Sequence, residues 1–264
     1  MTLFVDHDGS VDELMKRADM AMYQAKAAGR NTLRFFDPVM QAEVTTRVAL
    51  EADLREAVLK GQFVLHYQAQ VAGDGRLTGT EVLLRWNHPD LGMVRPPHFL
   101  DALSDEHLAT QVGSFVLGQV IAQIGDWRSA GVPFAAISVN ATLGDLRSRK
   151  FVDTILAAIA RSDIAARDLS VEITEDVLVG RGGICARSEI ERLHQAGVMV
   201  AFDDFGTGFA SLRHLRDLPV HMIKIDKSFV LAIEHDMADR AIVHNVIQLA
   251  HALGKTVTAE GVET

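Results

Sequence analysis

A single cysteine, Cys185, in 264 residues leaves no partner for an intrachain disulfide, which excludes a disulfide-stapled scaffold and suits a reducing compartment. Positive charge is also scarce. Lys and Arg number 26 against 35 Asp and Glu, giving a formal charge of −9 and a pI of about 5.6, so no basic field recruits DNA, RNA or an anionic membrane. No apolar run reaches the roughly 18 residues of a membrane span, and the opening MTLFVDHDGS is acidic where a signal peptide needs a basic start. The expectation is a soluble, cytoplasmic chain, with any membrane association supplied by upstream regions of a longer parent. The histidines are scattered, and none forms an i, i+4 pair beside a Glu as a helical zinc site requires; His88 reads as a turn residue. The glycine-rich GTGF lacks the Lys-Ser/Thr ending of a P-loop.

What is present is apolar content. At 48% hydrophobic and mean hydropathy +0.12, the chain can bury a large core, and its length fits one (β/α) barrel of roughly 250 residues or two smaller domains. Helical spacing marks 11–29, with Gly29 as its stop, followed by a short strand at 32–36; a second helix covers 48–61, with Leu50, Leu54 and Val58 on one face and Gly61 at its end. The domain boundary is expected at 38–46. Beyond Gly61, strand-like runs at 63–71, 77–86, 135–141, 169–175, 198–205, 221–225 and 256–260 alternate with amphipathic helices such as 108–127, 151–159, 189–196 and 242–253. Such alternation means a parallel sheet with helices outside, either doubly wound or a barrel. Seven strands are one short of a closed barrel.

The stretch 198–208, VMVAFDDFGTG, runs a buried strand straight into Asp203, Asp204 and a glycine-rich turn. Other strands also end in polar residues: Glu81, Asn140, Glu172, Lys224 with Asp226, and Glu260. Each alone has an ordinary explanation. Glu81 pairs with Arg85, Asn140 makes a turn, Glu175 opens a helix, Lys224 and Asp226 form an ion pair, and Glu260 lies on the surface. Jointly, on the ends of successive barrel strands, they point to a site. Carboxylates gathered that closely repel one another unless cations hold them, and all-oxygen ligation favours Mg²⁺, Mn²⁺ or Ca²⁺ over zinc.

Two resemblances sharpen this. Through ADMAMYQAKAAGRNTLRFF, residues 1–37 look like the last helix and strand of GGDEF domains, the diguanylate cyclase family, but that family's glycine-glycine-acid signature is nowhere in the chain and no cyclase activity is implied. From about Leu50 onward the chain resembles EAL domains, the cyclic di-GMP (c-di-GMP) phosphodiesterases of bacterial signalling. The matching pieces are Tyr67-Gln68, EVLLRW from Glu81 to Trp86, SVN ending at Asn140, VEITE from Val171 to Glu175, DDFGTGF from Asp203 to Phe209, KID from Lys224 to Asp226 and AEGVET from Ala259 to Thr264. Val82 stands where the family's name motif has alanine.

The EAL resemblance implies a modified (β/α)8 TIM-like barrel with one antiparallel strand, occupying 47–264 after a GGDEF remnant at 1–37 and a linker at 38–46. Because the sequence stops at Thr264, the last barrel strand is expected to be missing. The resemblance also implies hydrolysis of c-di-GMP to pGpG with two Mg²⁺ or Mn²⁺ ions, Ca²⁺ being inhibitory. The first ion would be held by Glu81, Asn140, Glu172 and Asp203, and the second by Asp203, Asp204 and Glu260. Lys224 would hold and polarise the attacking water. Gln68, Leu84, Arg85 and Asp226 would contact the dinucleotide, while Glu175 would anchor the 206–211 loop and Glu263 would lend support from behind. Dimerisation through the barrel and an upstream GGDEF domain are further expectations. The alternative is a degenerate EAL module that binds c-di-GMP as a receptor, or a signalling scaffold.

Overall fold

The computed structural model describes residues 10–27, 32–33, 35–99, 103, 106–161, 164–178, 183–206 and 212–262. Two helices lead into the sheet, α1 (Val11–Ala27) and α2 (Pro38–Lys60). The helix expected over 48–61 thus begins at Pro38, and the stretch read as a linker is helical. Proline suits that start, because a first-turn residue needs no N–H donor and its φ is already helical. Gly29 lies outside the described residues, and the described residues of the strand expected at 32–36 belong to no strand. An isolated strand has no ladder to hold it.

After Gly61, which ends α2 at φ +64, one sheet collects β1 (Phe63–Val71), β2 (Leu77–His88), β3 (Gly92–Val94), β4 (Ala136–Asn140), β5 (Leu169–Ile173), β6 (Met199–Phe205), β7 (Met222–Ile225) and β8 (Thr256–Ala259). Its order is β1-β2-β4-β5-β6-β7-β8, with β3 paired only to β2. The order follows the chain without reversing, whereas a doubly wound sheet turns back at a switch point. Barrel-type winding is therefore the architecture realised. Every pair along the path from β2 to β8 is parallel, and β1 runs antiparallel to β2, as the EAL resemblance implied. Among the described residues no ladder joins β8 back to β1.

Between the strands lie α3 (Glu106–Ser129), α4 (Leu143–Ser148), α5 (Lys150–Arg161), α6 (Gly183–Gln195), α7 (Leu212–Asp217), α8 (Lys227–Ala232) and α9 (Met237–Ala252). Val82, Ile137, Val139, Leu169, Val171, Ile173, Val200, Phe202 and Ile223 from the strands share one buried apolar cluster with Leu117, Val120 and Ile124 of α3, Ile155 of α5 and Ile190 of α6. α3 is long and apolar enough to cross a membrane, yet only one face, through Leu117, Val120 and Ile124, is buried in this cluster while the opposite face is exposed, the pattern of an amphipathic helix packed on a sheet. Because side chains alternate along a strand, the residues between these apolar ones face the other way. They are Glu81 on β2, Ser138 and Asn140 on β4, Ser170 and Glu172 on β5, Ala201 and Asp203 on β6, and Lys224 on β7. The core packing of one face thus decides what the opposite face presents.

Candidate metal centre

Lys224 is the meeting point of that second face. Its side chain is 1% exposed, and its Nζ lies 2.7 Å from Glu172 Oε2, 2.7 Å from Glu260 Oε1, 2.9 Å from Asp203 Oδ1 and 3.1 Å from Glu81 Oε2. Four strands therefore converge on one ammonium. Burial works to lower the Lys224 pKa, but Glu172, Asp203 and Glu81 together outweigh it, and the group is held well above the ordinary lysine range. Burial has the opposite effect on Glu172, which is pushed up to about 7 because Lys224 offsets only part of the desolvation while Glu81 and Asp203 repel its charge. Glu260 and Asp204 are also raised, with burial the leading cause in both. In each of these carboxyls burial leads and repulsion from the neighbouring carboxylates adds to it, more than the single ammonium offsets.

The backbone of β6 brings a further carboxylate in. In a regular strand Asp203 and Asp204 would face opposite ways, but the β6–β7 pairing slips between Phe202 and Phe205, and Asp204 adopts φ +50, in the left-handed region. The irregularity lets both neighbours reach the same side. Asp204 N–H donates to Asp203 Oδ1 at 3.0 Å, and oxygens of Asp203, Asp204 and Glu260 all lie within 4.8 Å of one another. Left-handed aspartate is among the less costly of such conformations, and strain of this kind gathers at functional sites.

Divalent cations fit this donor set. All the carboxylates are hard oxygen donors, and Glu172 Oε1 is buried with no hydrogen-bond partner among the described residues, an uncompensated acceptor within reach of the cluster. Asn140, at the end of β4, pairs in register with Glu172, so the amide expected among the ligands is adjacent to them.

The other expected residues fall around this centre unevenly. Glu81 lies inside β2 and not at its end, since β2 runs on to His88 to pair with β3. Gln68 sits opposite Glu81 across the β1–β2 ladder. Arg85 shares the Glu81 face of β2, and its Nη1 donates to the Leu84 carbonyl at 2.8 Å instead of pairing with Glu81. Leu84 itself packs against the apolar cluster of Phe63, Trp86 and Phe99, away from the carboxylates. Asp226 caps α8, accepting from Ser228 N at 2.9 Å and from Ser228 Oγ; although burial opposes it, those bonds hold its carboxyl below the ordinary range. Glu175, buried in the turn after β5, accepts the Gly206 N–H at 3.0 Å. Residues 207–211 and Glu263 lie outside the described residues. Sequence reasoning did not single out Phe229 or Gly261, which pack beside the site; the glycine directly after Glu260 was a usable signal for the second.

A family model described as EAL domain matches residues 51–264. The chain is 38% identical over 253 residues to the bifunctional diguanylate cyclase/cyclic di-GMP phosphodiesterase MucR of Pseudomonas aeruginosa, covering 96% of this chain and 37% of that protein. It is 34% identical to the cyclic di-GMP phosphodiesterase NbdA of the same organism, with 100% and 34% covered. To the cyclic di-GMP phosphodiesterase PdeR of Escherichia coli it is 31% identical, with 100% and 40% covered. The chain thus spans little more than a third of the length of these relatives. Among solved structures, the PaMucR phosphodiesterase in complex with c-di-GMP superposes with TM-score 0.76 at 36% identity, covering 82% of this chain and 87% of that one. An EAL enzyme in its cAMP- and cyclic-di-GMP-bound form gives TM-score 0.78 at 28% identity, covering 97% and 67%.

Proposed function

Because the chain belongs to the EAL domain family, we propose that it hydrolyses c-di-GMP to linear pGpG with the help of two divalent cations, Mg²⁺ or Mn²⁺. The observation that carries this reading is the convergence of Glu81, Glu172, Asp203 and Glu260 on one lysine, with Asp204 gathered beside Asp203 and Glu260 and, among the described residues, a buried Glu172 oxygen left without a hydrogen-bond partner. Glu81, Asn140, Glu172 and Asp203 would hold the first ion, and Asp203, Asp204 and Glu260 the second. When bound, such ions lower the pKa of water and offset the charge developing on a phosphate. They also give an acidic chain a local positive sign for a dianionic ligand.

The protein's own groups set the rest. Lys224, kept charged by its carboxylate neighbours, supplies the ammonium that orients the attacking water. Gln68, opposite Glu81 across the β1–β2 ladder, and Arg85, on the Glu81 face of β2, are assigned with Leu84 and Asp226 to contact the dinucleotide. Glu175 fixes the start of the loop after β6 through Gly206, and Glu263 is assigned support behind Glu260. The reaction adds one water across one phosphodiester bond: its hydroxide joins phosphorus, and its proton goes to the departing 3′ oxygen.

A homodimer formed through the barrel, a cytoplasmic location, and a longer parent with an upstream GGDEF domain, of which 1–37 is the remnant, complete the proposal. The test is incubation of the purified chain with c-di-GMP and excess Mn²⁺, followed by chromatography. Appearance of pGpG supports the reading. Calorimetric binding of c-di-GMP with no product would replace the enzyme with a receptor.

A further inference from the structure

α8 is six residues long, and its first turn is capped by Asp226, directly after β7. It leans on the chain at two points that matter to the carboxylates. Gly206 follows Asp204 by two residues, and a Cβ placed on it would lie 2.9 Å from Cε2 and 3.2 Å from Cζ of Phe229, so the phenyl ring rests against the Gly206 backbone. The Gly206 N–H is meanwhile held by Glu175. This residue is therefore fixed from two sides. Gly261 follows Glu260 directly at φ +68, and a Cβ there would lie 2.7 Å from Lys227 Cβ and 3.4 Å from Lys227 Cα. Only glycine allows so close an approach of the two backbones. One short helix thus abuts the chain two residues after Asp204 and directly after Glu260, two of the three carboxylates whose oxygens meet within 4.8 Å.

We propose that α8 is the positioning element for the Asp203, Asp204 and Glu260 set, with Phe229 and the Lys227 backbone as its two bearing points, so that the second cation's affinity depends on a residue that never touches it. The proposal rests on the two-cation reading above. The contacts predict a selective effect. Glu81, Asn140 and Glu172 stand on β2, β4 and β5, none of which α8 abuts through these glycines, so three of the first ion's four ligands keep their supports when Phe229 is cut back, and only the shared Asp203 links the two sets. Hydrogen-bonded partners that orient metal ligands typically govern affinity by about 10 to 100-fold, and support given through the backbone beside a ligand is expected at the low end of that range.

The test is calorimetric titration of the chain with Mn²⁺ alone. The wild-type protein is expected to take up two ions. Phe229→Ala weakens one of them about tenfold or more and leaves the other within about twofold. Phe229→Leu, which keeps part of the bulk against Gly206, falls between and guards against misfolding of the alanine variant. Lys227→Ala retains the Cβ that meets Gly261 and binds like wild type, whereas Gly261→Ala, which forces a side chain into that contact, weakens the same ion as Phe229→Ala. An unchanged isotherm for Phe229→Ala, or equal weakening of both ions, overturns the assignment while the two-cation reading stands. Uptake of fewer than two ions by the wild-type protein sinks that reading and the assignment with it.

Discussion

Lys224 carries one positive charge into a ring of four carboxylates and is 1% exposed, so removing it strands buried negative groups. Breaking a buried ion pair from one side typically costs about 3–5 kcal/mol. Lys224→Met, which keeps the length without the charge, is expected to melt well below wild type in a chelating buffer, and added Mn²⁺ is expected to recover more of the loss than it adds to wild type. Equal Mn²⁺ responses in the two proteins would show that lysine and metal ions do not draw on the same oxygens. Asp204 makes a different prediction. It joins the site through an irregular, left-handed stretch of β6, and in the proposed assignment it belongs to only one of the two ligand sets. Asp204→Asn preserves volume and removes a charge, so turnover of c-di-GMP should fall on the order of a hundredfold or more while KM moves far less. Parallel losses in both constants would argue for a role in substrate binding instead.

At the scale of elements, the parallel strands were legible because buried parallel strands read as unbroken apolar runs, and β6 and β7 fall within a residue of where those runs lie. β3 escaped because three residues, Gly92–Val94, carry no periodicity to detect and form only as a hairpin on β2. The carboxylates were legible as polar residues on successive strands that gather at one site, but the detail of that gathering was not, down to Glu81 lying inside β2. It depends on which strands adjoin and on the slip that turns Asp204 inward, neither of which periodicity encodes. α8 was illegible for the same reason, since Phe229 matters through a glycine more than twenty positions earlier. The opposite end of β7 offers a pH test. His221 Nδ1 accepts the Val200 N–H at 3.1 Å, with the His194 ring at 5.1 Å. Burial lowers the His221 pKa, and His194 and Lys255 lower it further. The folded protein therefore binds this proton less tightly than the unfolded chain, so the contribution is intact above the ordinary histidine pKa of about 6.5 and is lost as the pH falls from there through the depressed value. His221→Asn, which can still accept from Val200, should flatten the decline of Tm between about pH 6.5 and 5. A slope identical to wild type would mean that other groups dominate acid sensitivity.

For the molecule as a whole, charge decides what must accompany the chain. Glu81, Glu172, Asp203, Asp204 and Glu260 against Lys224 leave four negative charges uncompensated in a protein already at −9. Two divalent cations supply four positive ones. Binding confined to the folded state stabilises by about 2.7 kcal/mol per site at a hundredfold excess over Kd, and in a domain of this size each kcal/mol shifts Tm by roughly 2–4 °C. Saturating Mn²⁺ should therefore raise Tm by about 10 °C or more over protein in chelator. Ca²⁺ separates stability from chemistry: as a larger oxygen-seeking ion with looser geometry it should also raise Tm, yet hold the phosphate and water poorly enough that pGpG does not accumulate. Stabilisation by both ions with turnover only in Mn²⁺ or Mg²⁺ would mean that the carboxylate cluster is needed for fold and reaction alike but that ion geometry sets the rate. Absence of any Tm response to either ion would mean that Lys224 alone satisfies the cluster, and the charge argument for paired cations would fall.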